Sequence, residues 1–204
     1  MPHSVAAANA RKTSDPLPWN DYFNRELYLK HQRSGATITH HVYVLSPTGK
    51  GPLIVCHHGA GSSGLSFALF ALEIRKLLPN CGVLSLDARE HGETKVEDPR
   101  VEDGLRVMDL TLPTLSEDLF DVIRLTQEEM KWAHSTDLIL IGHSLGGAVV
   151  TELAKCMKLH EHLLGYAVLD VVEGSAIDAL QSMQQYLQRR PSSFPSISSA
   201  IEWQ

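Results

Sequence analysis

The sequence has no paired cysteines, no long apolar run, no excess of basic charge and no P-loop lysine. Each absence removes a class of protein. Cys56, Cys81 and Cys156 are its cysteines. They are scattered, with no CxxC spacing, so a disulfide framework is excluded and reduced thiols in an intracellular protein are expected. No stretch reaches the roughly 18 apolar residues that cross a membrane. Ala6-Ala7-Ala8 follows no apolar segment, so no signal peptide is expected either. A net charge of −6 argues against nucleic acid or an anionic membrane as partner. What remains is a chain of 204 residues, 43% hydrophobic and 21% charged, with room for one domain and its core. The expected location is cytoplasm, nucleus or both.

Residues 1–18 are small and polar and end in Asp15-Pro16-Leu17-Pro18, which predicts a disordered tail. Residues 25–33 and 37–45 read as an antiparallel strand pair turned at Ser34-Gly35-Ala36. Leu53-Ile54-Val55-Cys56 and Val83-Leu84-Ser85-Leu86 predict strands buried on both faces. A helix is expected over 65–78 and a charged surface loop over 93–112. Thr114-Leu115-Ser116-Glu117 has a capping-box pattern, and Leu115, Leu119, Val122 and Ile123 then repeat at helical spacing to about Met130. Leu163 to Leu169 predicts a further strand, and residues 176–188 a helix rich in Gln and Met. The charges in Asp87-Ala88-Arg89-Glu90-His91 either line a site or lock a loop by hydrogen bonds, and the second reading is preferred.

The chemistry is carried by one stretch. Leu138-Ile139-Leu140-Ile141 predicts a buried parallel strand, and Gly142-His143-Ser144-Leu145-Gly146-Gly147-Ala148 follows at once, opening a helix to about Leu159. Gly-x-Ser-x-Gly between a strand and a helix is a nucleophile elbow. The turn is strained, so the positions flanking the serine must be nearly free of side chain. Ser144 Oγ is thereby lifted above the sheet edge. The N–H of Leu145, at a helix N-terminus, is placed to stabilise an oxyanion. The pentapeptide alone recurs by chance; the strand before it and the small-residue helix after it make it informative.

A second loop, His57-His58-Gly59-Ala60-Gly61-Ser62-Ser63-Gly64, leaves the C-terminal end of another strand, where open α/β sheets place ligands. A phosphate cradle is one reading of its glycines. The better one is the other half of an oxyanion hole, with the N–H of Ala60 as donor. Adjacent histidines invite a metal, but neighbours on a strand point to opposite faces and no third ligand completes a set. Neither metal nor cofactor is expected. The order of elements is the front of an α/β-hydrolase sheet, mostly parallel, with helices on both faces.

Four stretches resemble the protein phosphatase methylesterases. They are Ile141 to Ala148, Leu169-Asp170-Val171-Val172-Glu173-Gly174-Ser175-Ala176, Asp178 to Met183, and Ala200-Ile201-Glu202-Trp203. The likeness runs from about residue 17 to the last. Members of that family are α/β hydrolases that remove the methyl ester from the C-terminal leucine of the type 2A protein phosphatase catalytic subunit. The resemblance implies that Asp170 is the triad acid, with Glu173 the runner-up and Asp178 an early-helix charge. It also implies a base histidine late in the chain, and no histidine follows Asp170 here. The expectation is a C-terminally truncated hydrolase domain over 19–204, with 175–204 the start of the cap region, and with little activity. Among the histidines present, His91 is the stand-in base worth testing.

Three functions compete. The first is the methylesterase, with Ser144 as nucleophile, Asp170 orienting an imidazolium, Ala60 and Leu145 holding the oxyanion, and the methylated phosphatase C-terminus as partner. The second is a general small-molecule carboxylesterase on the same fold. The third is a non-catalytic phosphatase-binding fragment.

Overall fold

A computed structural model describes residues 18–99, 109–132, 136–159, 161–171, 188–189, 191 and 193–203. The chain divides into two compact units, Trp19–Val172 and a second made of residues 1–18 and 173–204. The tail expected over 1–18 and the helix expected over 176–188 lie outside the described residues, apart from Pro18 and Gln188. Glu173 and Asp178 lie outside them too. In the second unit one helix is described, Ile197–Trp203, with the Trp203 ring 5.7 Å from that of Phe194.

The first unit is built on a seven-stranded sheet. Its strands are β1 (Arg25–Arg33), β2 (Ala36–Leu45), β3 (Leu53–His57), β4 (Gly82–Leu86), β5 (Lys95–Glu97), β6 (Leu138–His143) and β7 (Leu163–Leu169). The helices are α1 (Ala68–Leu77), α2 (Leu112–Glu129) and α3 (Leu145–Lys155). The strand order is β1-β2-β4-β3-β6-β7. β1 and β2 form the expected antiparallel pair, and β4, β3, β6 and β7 run parallel.

The period of two along the strands gives the sheet two cores. Val42, Val44, Val55, Leu84 and Leu140 face one side, where Leu115, Leu119 and Val122 of α2 and Val149 and Leu153 of α3 cover them. Tyr43, Ile54, Cys56 and Val83 face the other, with Phe23 and with Phe67 and Ala71 of the α1 segment. The continuous apolar runs of β3 and β4 are explained by this double covering.

Three local readings are corrected. Lys95–Glu97 is a strand within the expected loop, pairing antiparallel with Thr37 to Thr39 of β2 beyond the end of β4. The α2 helix starts at Leu112, ahead of the capping box, because Pro113 suits a first turn and its missing N–H costs nothing there. Asp109 organises that start instead: it accepts from Thr111 Oγ1 at 2.8 Å and Thr114 Oγ1 at 2.6 Å. The helix after the elbow ends at Lys155, earlier than expected.

β7 pairs with β6 alone among the described residues. Leu164 is 63% exposed, Tyr166 50% and Leu169 45%, so this strand presents an uncovered apolar border.

Candidate active site

Ser144 sits where β6 hands over to α3, with φ 51° and ψ −116°. A non-glycine residue at such a φ is strained, and the local structure must over-determine it. It does. The N–H of Ser144 donates to Leu169 O at 2.9 Å, and its carbonyl accepts from Gly147 N–H at 2.8 Å. The flanking glycines are obligatory for close approach. A Cβ at Gly142 would fall 2.2 Å from the carbonyl oxygen of Gly146, and one at Gly146 would fall 2.2 Å from that of His57. The same backbone contact brings the β3 loop against the elbow.

Gly59 adjoins the serine: a Cβ placed there would lie 3.1 Å from Ser144 Cβ. Ala60, the expected donor, is therefore the next residue beyond a direct contact with the elbow. Within this loop the N–H groups are shared out. Ser62 donates to Gly59 O, Gly61 to His91 Nε2 at 3.0 Å, and Gly64 to Asp87 Oδ1 at 2.7 Å. No hydrogen bond among the described residues takes the N–H of Ala60 or of Leu145. Leu145 follows Ser144 at the start of α3, and Ala60 follows the Gly59 that adjoins it.

Gly59, Gly61 and Gly64 also carry the Gly-x-Gly-x-x-Gly spacing of a dinucleotide-binding turn. Here the Gly64 N–H donates to the Asp87 carboxylate, which sets a negative charge beside the loop. No group of three or more His, Cys, Asp or Glu is placed to hold a metal among the described residues.

The two adjacent histidines serve the backbone. His57 is fully buried and its Nδ1–H donates to His58 O at 2.9 Å; burial pushes its pKa down to about 4. His58 donates from Nδ1 to Gly59 O at 2.7 Å and accepts the N–H of Ala88 at Nε2, 2.9 Å away. Burial lowers its pKa as well, which keeps that acceptor neutral.

The charges after β4 lock loops, as the preferred reading has it. Arg89 pairs bidentately with Asp118 of α2, at 2.7 and 2.8 Å, and Arg33 joins the same carboxylate. Asp87 accepts from His41 Nδ1 at 2.7 Å, and His41 Nε2–H donates to Glu26 at 2.9 Å. Burial opposes the charge on His41, but hydrogen bonds to Asp87 and Glu26 prevail and raise its pKa. Burial likewise opposes the Asp87 carboxylate, and His41 with the two backbone N–H donors prevails and lowers its pKa. This Glu26–His41–Asp87 chain, buried at His41 and Asp87, was not legible in the sequence. An aspartate leaving a strand into a charged turn was its one signal.

His91 is not the stand-in base. Its Nδ1–H donates to Arg89 O at 2.8 Å, and its Nε2 lone pair is used by Gly61. Asp170 follows β7 directly, at φ 51°, with a side chain 79% exposed. Its nearest cationic candidate is His143 Nε2, 3.9 Å away, too far for a hydrogen bond. His162 lies at the other end of β6, bonded through its carbonyl to Leu138 N–H. No helix among the described residues is long and apolar enough to cross a membrane.

Comparison with known proteins identifies the fold family. A family model described as "Alpha/beta hydrolase family" matches residues 54–203. Protein phosphatase methylesterase 1 of Aspergillus fumigatus is 56% identical over 197 residues, covering 97% of this chain and 46% of that protein. The Homo sapiens protein of the same name is 37% identical, covering 95% and 46%. The chain thus spans about half the length of the curated relatives it matches. Among solved structures, a thioesterase domain from the curacin biosynthetic pathway superposes with a TM-score of 0.58 at 20% identity. It covers 88% of this chain and 61% of that one, a likeness of fold.

Proposed function

The chain belongs to the alpha/beta hydrolase family, and on that premise we propose that it carries the nucleophile of a protein phosphatase methylesterase. Ser144 Oγ attacks the carbonyl carbon of a methyl ester. The N–H groups of Ala60 and Leu145 receive the oxyanion of the tetrahedral intermediate. Methanol leaves with a proton, an acyl-enzyme remains, and water releases the free carboxylate. Asp170 orients the imidazolium of the base that this cycle requires.

The strained serine between Gly142 and Gly146, with uncommitted amides at Leu145 and Ala60, is the observation that supports the hydrolase reading. The substrate rests on the relatives' name. The narrower reading, the methylated C-terminal leucine of the type 2A catalytic subunit, is what the resemblance of the Asp170-Val171-Val172-Glu173 and Ala200-Ile201-Glu202-Trp203 segments to the methylesterases implies. Three free thiols fit a reducing compartment, cytoplasm or nucleus.

The test has two arms. A fluorophosphonate probe is offered to residues 1–204 with imidazole as diffusible base; phosphonylation at Ser144, lost in Ser144→Ala, is expected. Methyl-ester cleavage is then compared between a peptide copying the phosphatase terminus and a short-chain aryl ester. Preference for the aryl ester favours the general carboxylesterase. Capture of the phosphatase without any labelling favours the non-catalytic binder.

A further inference from the structure

We propose that His91 is a positioning residue of the oxyanion loop, a strut that fixes the Ala60 amide by holding the N–H of its neighbour Gly61. The proposal rests on the hydrolase reading of Ser144.

The loop Gly59-Ala60-Gly61 lies outside helix and strand, in a turn. Gly61 stands at φ +75°, and a Cβ there would meet nothing within 4 Å, so no packing fixes it. Ala60 and Gly61 are the central residues of a turn closed by Ser62 N–H to Gly59 O at 3.2 Å, and Gly61 N–H is held to the rest of the fold by His91 Nε2 at 3.0 Å. The acceptor is itself oriented. His91 Nδ1–H donates to Arg89 O at 2.8 Å, which fixes the tautomer and leaves the Nε2 lone pair facing Gly61. The His91 ring also meets His58 edge to face, with centroids 5.0 Å apart. His58 in turn spans from Gly59 O to Ala88 N–H.

The loop is therefore pinned on both sides of Ala60, by His58 at Gly59 and by His91 at Gly61. Each pin runs to the segment that follows β4. That segment is anchored by Arg89 on Asp118 and by Asp87 on His41. The hydrogen bond to His91 does two further things. It withdraws Gly61 N–H from the donors that could face the oxyanion, leaving Ala60 to pair with Leu145. It also holds the Ala60–Gly61 peptide against rotation, and a donor must be preorganised before charge develops to count in catalysis.

The experiment uses residues 1–204, labelled with 15N, beside His91→Ala and His91→Gln. In the parent, a through-hydrogen-bond coupling between Gly61 N and His91 Nε2 and slow exchange of the Gly61 amide are expected. In His91→Ala the coupling vanishes, Gly61 exchange rises about tenfold or more, and the maximal rate of Ser144 phosphonylation in imidazole falls about tenfold. The half-saturating probe concentration stays within a factor of two. His91→Gln, whose amide oxygen accepts in the same place, restores most of the rate. An absent coupling, or a full phosphonylation rate in His91→Ala with Gly61 freed, overturns the proposal. A parent chain that takes no probe overturns the nucleophile reading instead. The hold on Gly61 is then decided by exchange: protection lost in His91→Ala supports it, and protection kept refutes it.

Discussion

The N–H of Ser144 donates to the carbonyl oxygen of Leu169 across 2.9 Å. That bond ties the elbow to the end of β7, so Asp170 leaves the sheet beside the serine turn. Both residues stand at φ 51°. A non-glycine residue there stores about 1–2 kcal/mol, less for aspartate. Strain kept at an exposed side chain suits a functional position. Asp170→Gly is expected to raise the urea midpoint, by about 0.5–1 kcal/mol of stability. It should also remove any esterase activity regained in imidazole. A midpoint below that of the parent sinks the strain argument.

Gly146 is the tightest joint between the two site loops. The Cβ of Gly146→Ala would lie 2.2 Å from His57 O, a backbone atom that cannot swing aside. The cost is expected at about 1–3 kcal/mol of stability, as for an overpacked core. Loss of Ser144 labelling should accompany it, because relief requires α3 and the β3 loop to part. Unchanged labelling and an unchanged melting temperature would show that the joint is slack.

Much of this was legible beforehand for a physical reason. The Leu138-to-Ala148 stretch combines a strand, a sharp turn and a small-residue helix, and each signal is local. The charges of Asp87 and Arg89 lock loops, as their place after a strand suggests, but the sequence does not reveal their partners. Glu26, His41 and Asp118 are distant in sequence, and only the antiparallel β1–β2 pair and the docking of α2 bring them in. β5 was missed because three residues, Lys95-Val96-Glu97, carry too short an alternation to stand out. The sequence puts His91 in a loop at the ligand-binding edge of the sheet but does not reveal that Arg89 O and Gly61 N–H, both backbone groups, take its two nitrogens.

Stability should peak near pH 6.5 and fall on both sides. His40 and His57 are held by burial at about 4, and His58 is lowered. In the unfolded chain each binds a proton from about pH 6.5 downward. Their folded pKa values are depressed, so unfolding takes up protons and stability falls as pH drops from about 6.5. The slope approaches about 1.4 kcal/mol per pH unit for each proton taken up. His41 has the opposite sign. Its pKa is raised, so its contribution is complete below about 6.5 and is lost as pH rises through the folded value. Urea midpoints at pH 5, 6.5 and 8 test this, with His41→Gln expected to flatten the alkaline limb. A midpoint at pH 5 equal to that at pH 6.5 contradicts the acid limb.

The open border of β7 predicts self-association. Leu164, Tyr166 and Leu169 are exposed on a strand that carries no lysine and no proline to discourage pairing. Residues 1–204 should show concentration-dependent sedimentation. Tyr166→Lys should reduce it without lowering the melting temperature by more than a few degrees, since Tyr166 is half exposed already. A parent that sediments as a monomer at all concentrations removes the argument.

The last prediction is that residues 1–204 turn over esters at little more than the rate left by binding and the oxyanion hole. Attack by Ser144 needs a base within about 2.6–3.2 Å. His57 and His58 donate Nδ1–H to backbone carbonyls, and burial holds both in the low range. Both nitrogens of His91 are engaged. Those of His41 are held by Asp87 and Glu26, on the far strand β2. His31 and His40 are stacked on each other on the first two strands. His162 lies beyond the opposite end of β6, about 20 Å away at roughly 3.3 Å per residue. That leaves His143, 3.9 Å from Asp170 and 42% exposed on its side chain. It is the residue to exclude experimentally among those described. Losing one member of such a triad commonly leaves about 10³–10⁴-fold over water. Hydrolysis of a short aryl ester should therefore be low in the parent and raised by added imidazole beyond imidazole's own reaction with the ester, and Ser144→Ala should lose that extra increment. His143→Ala should match the parent. High turnover without imidazole that disappears in Ser144→Ala would refute the prediction, and its loss in His143→Ala as well would name His143 as the base.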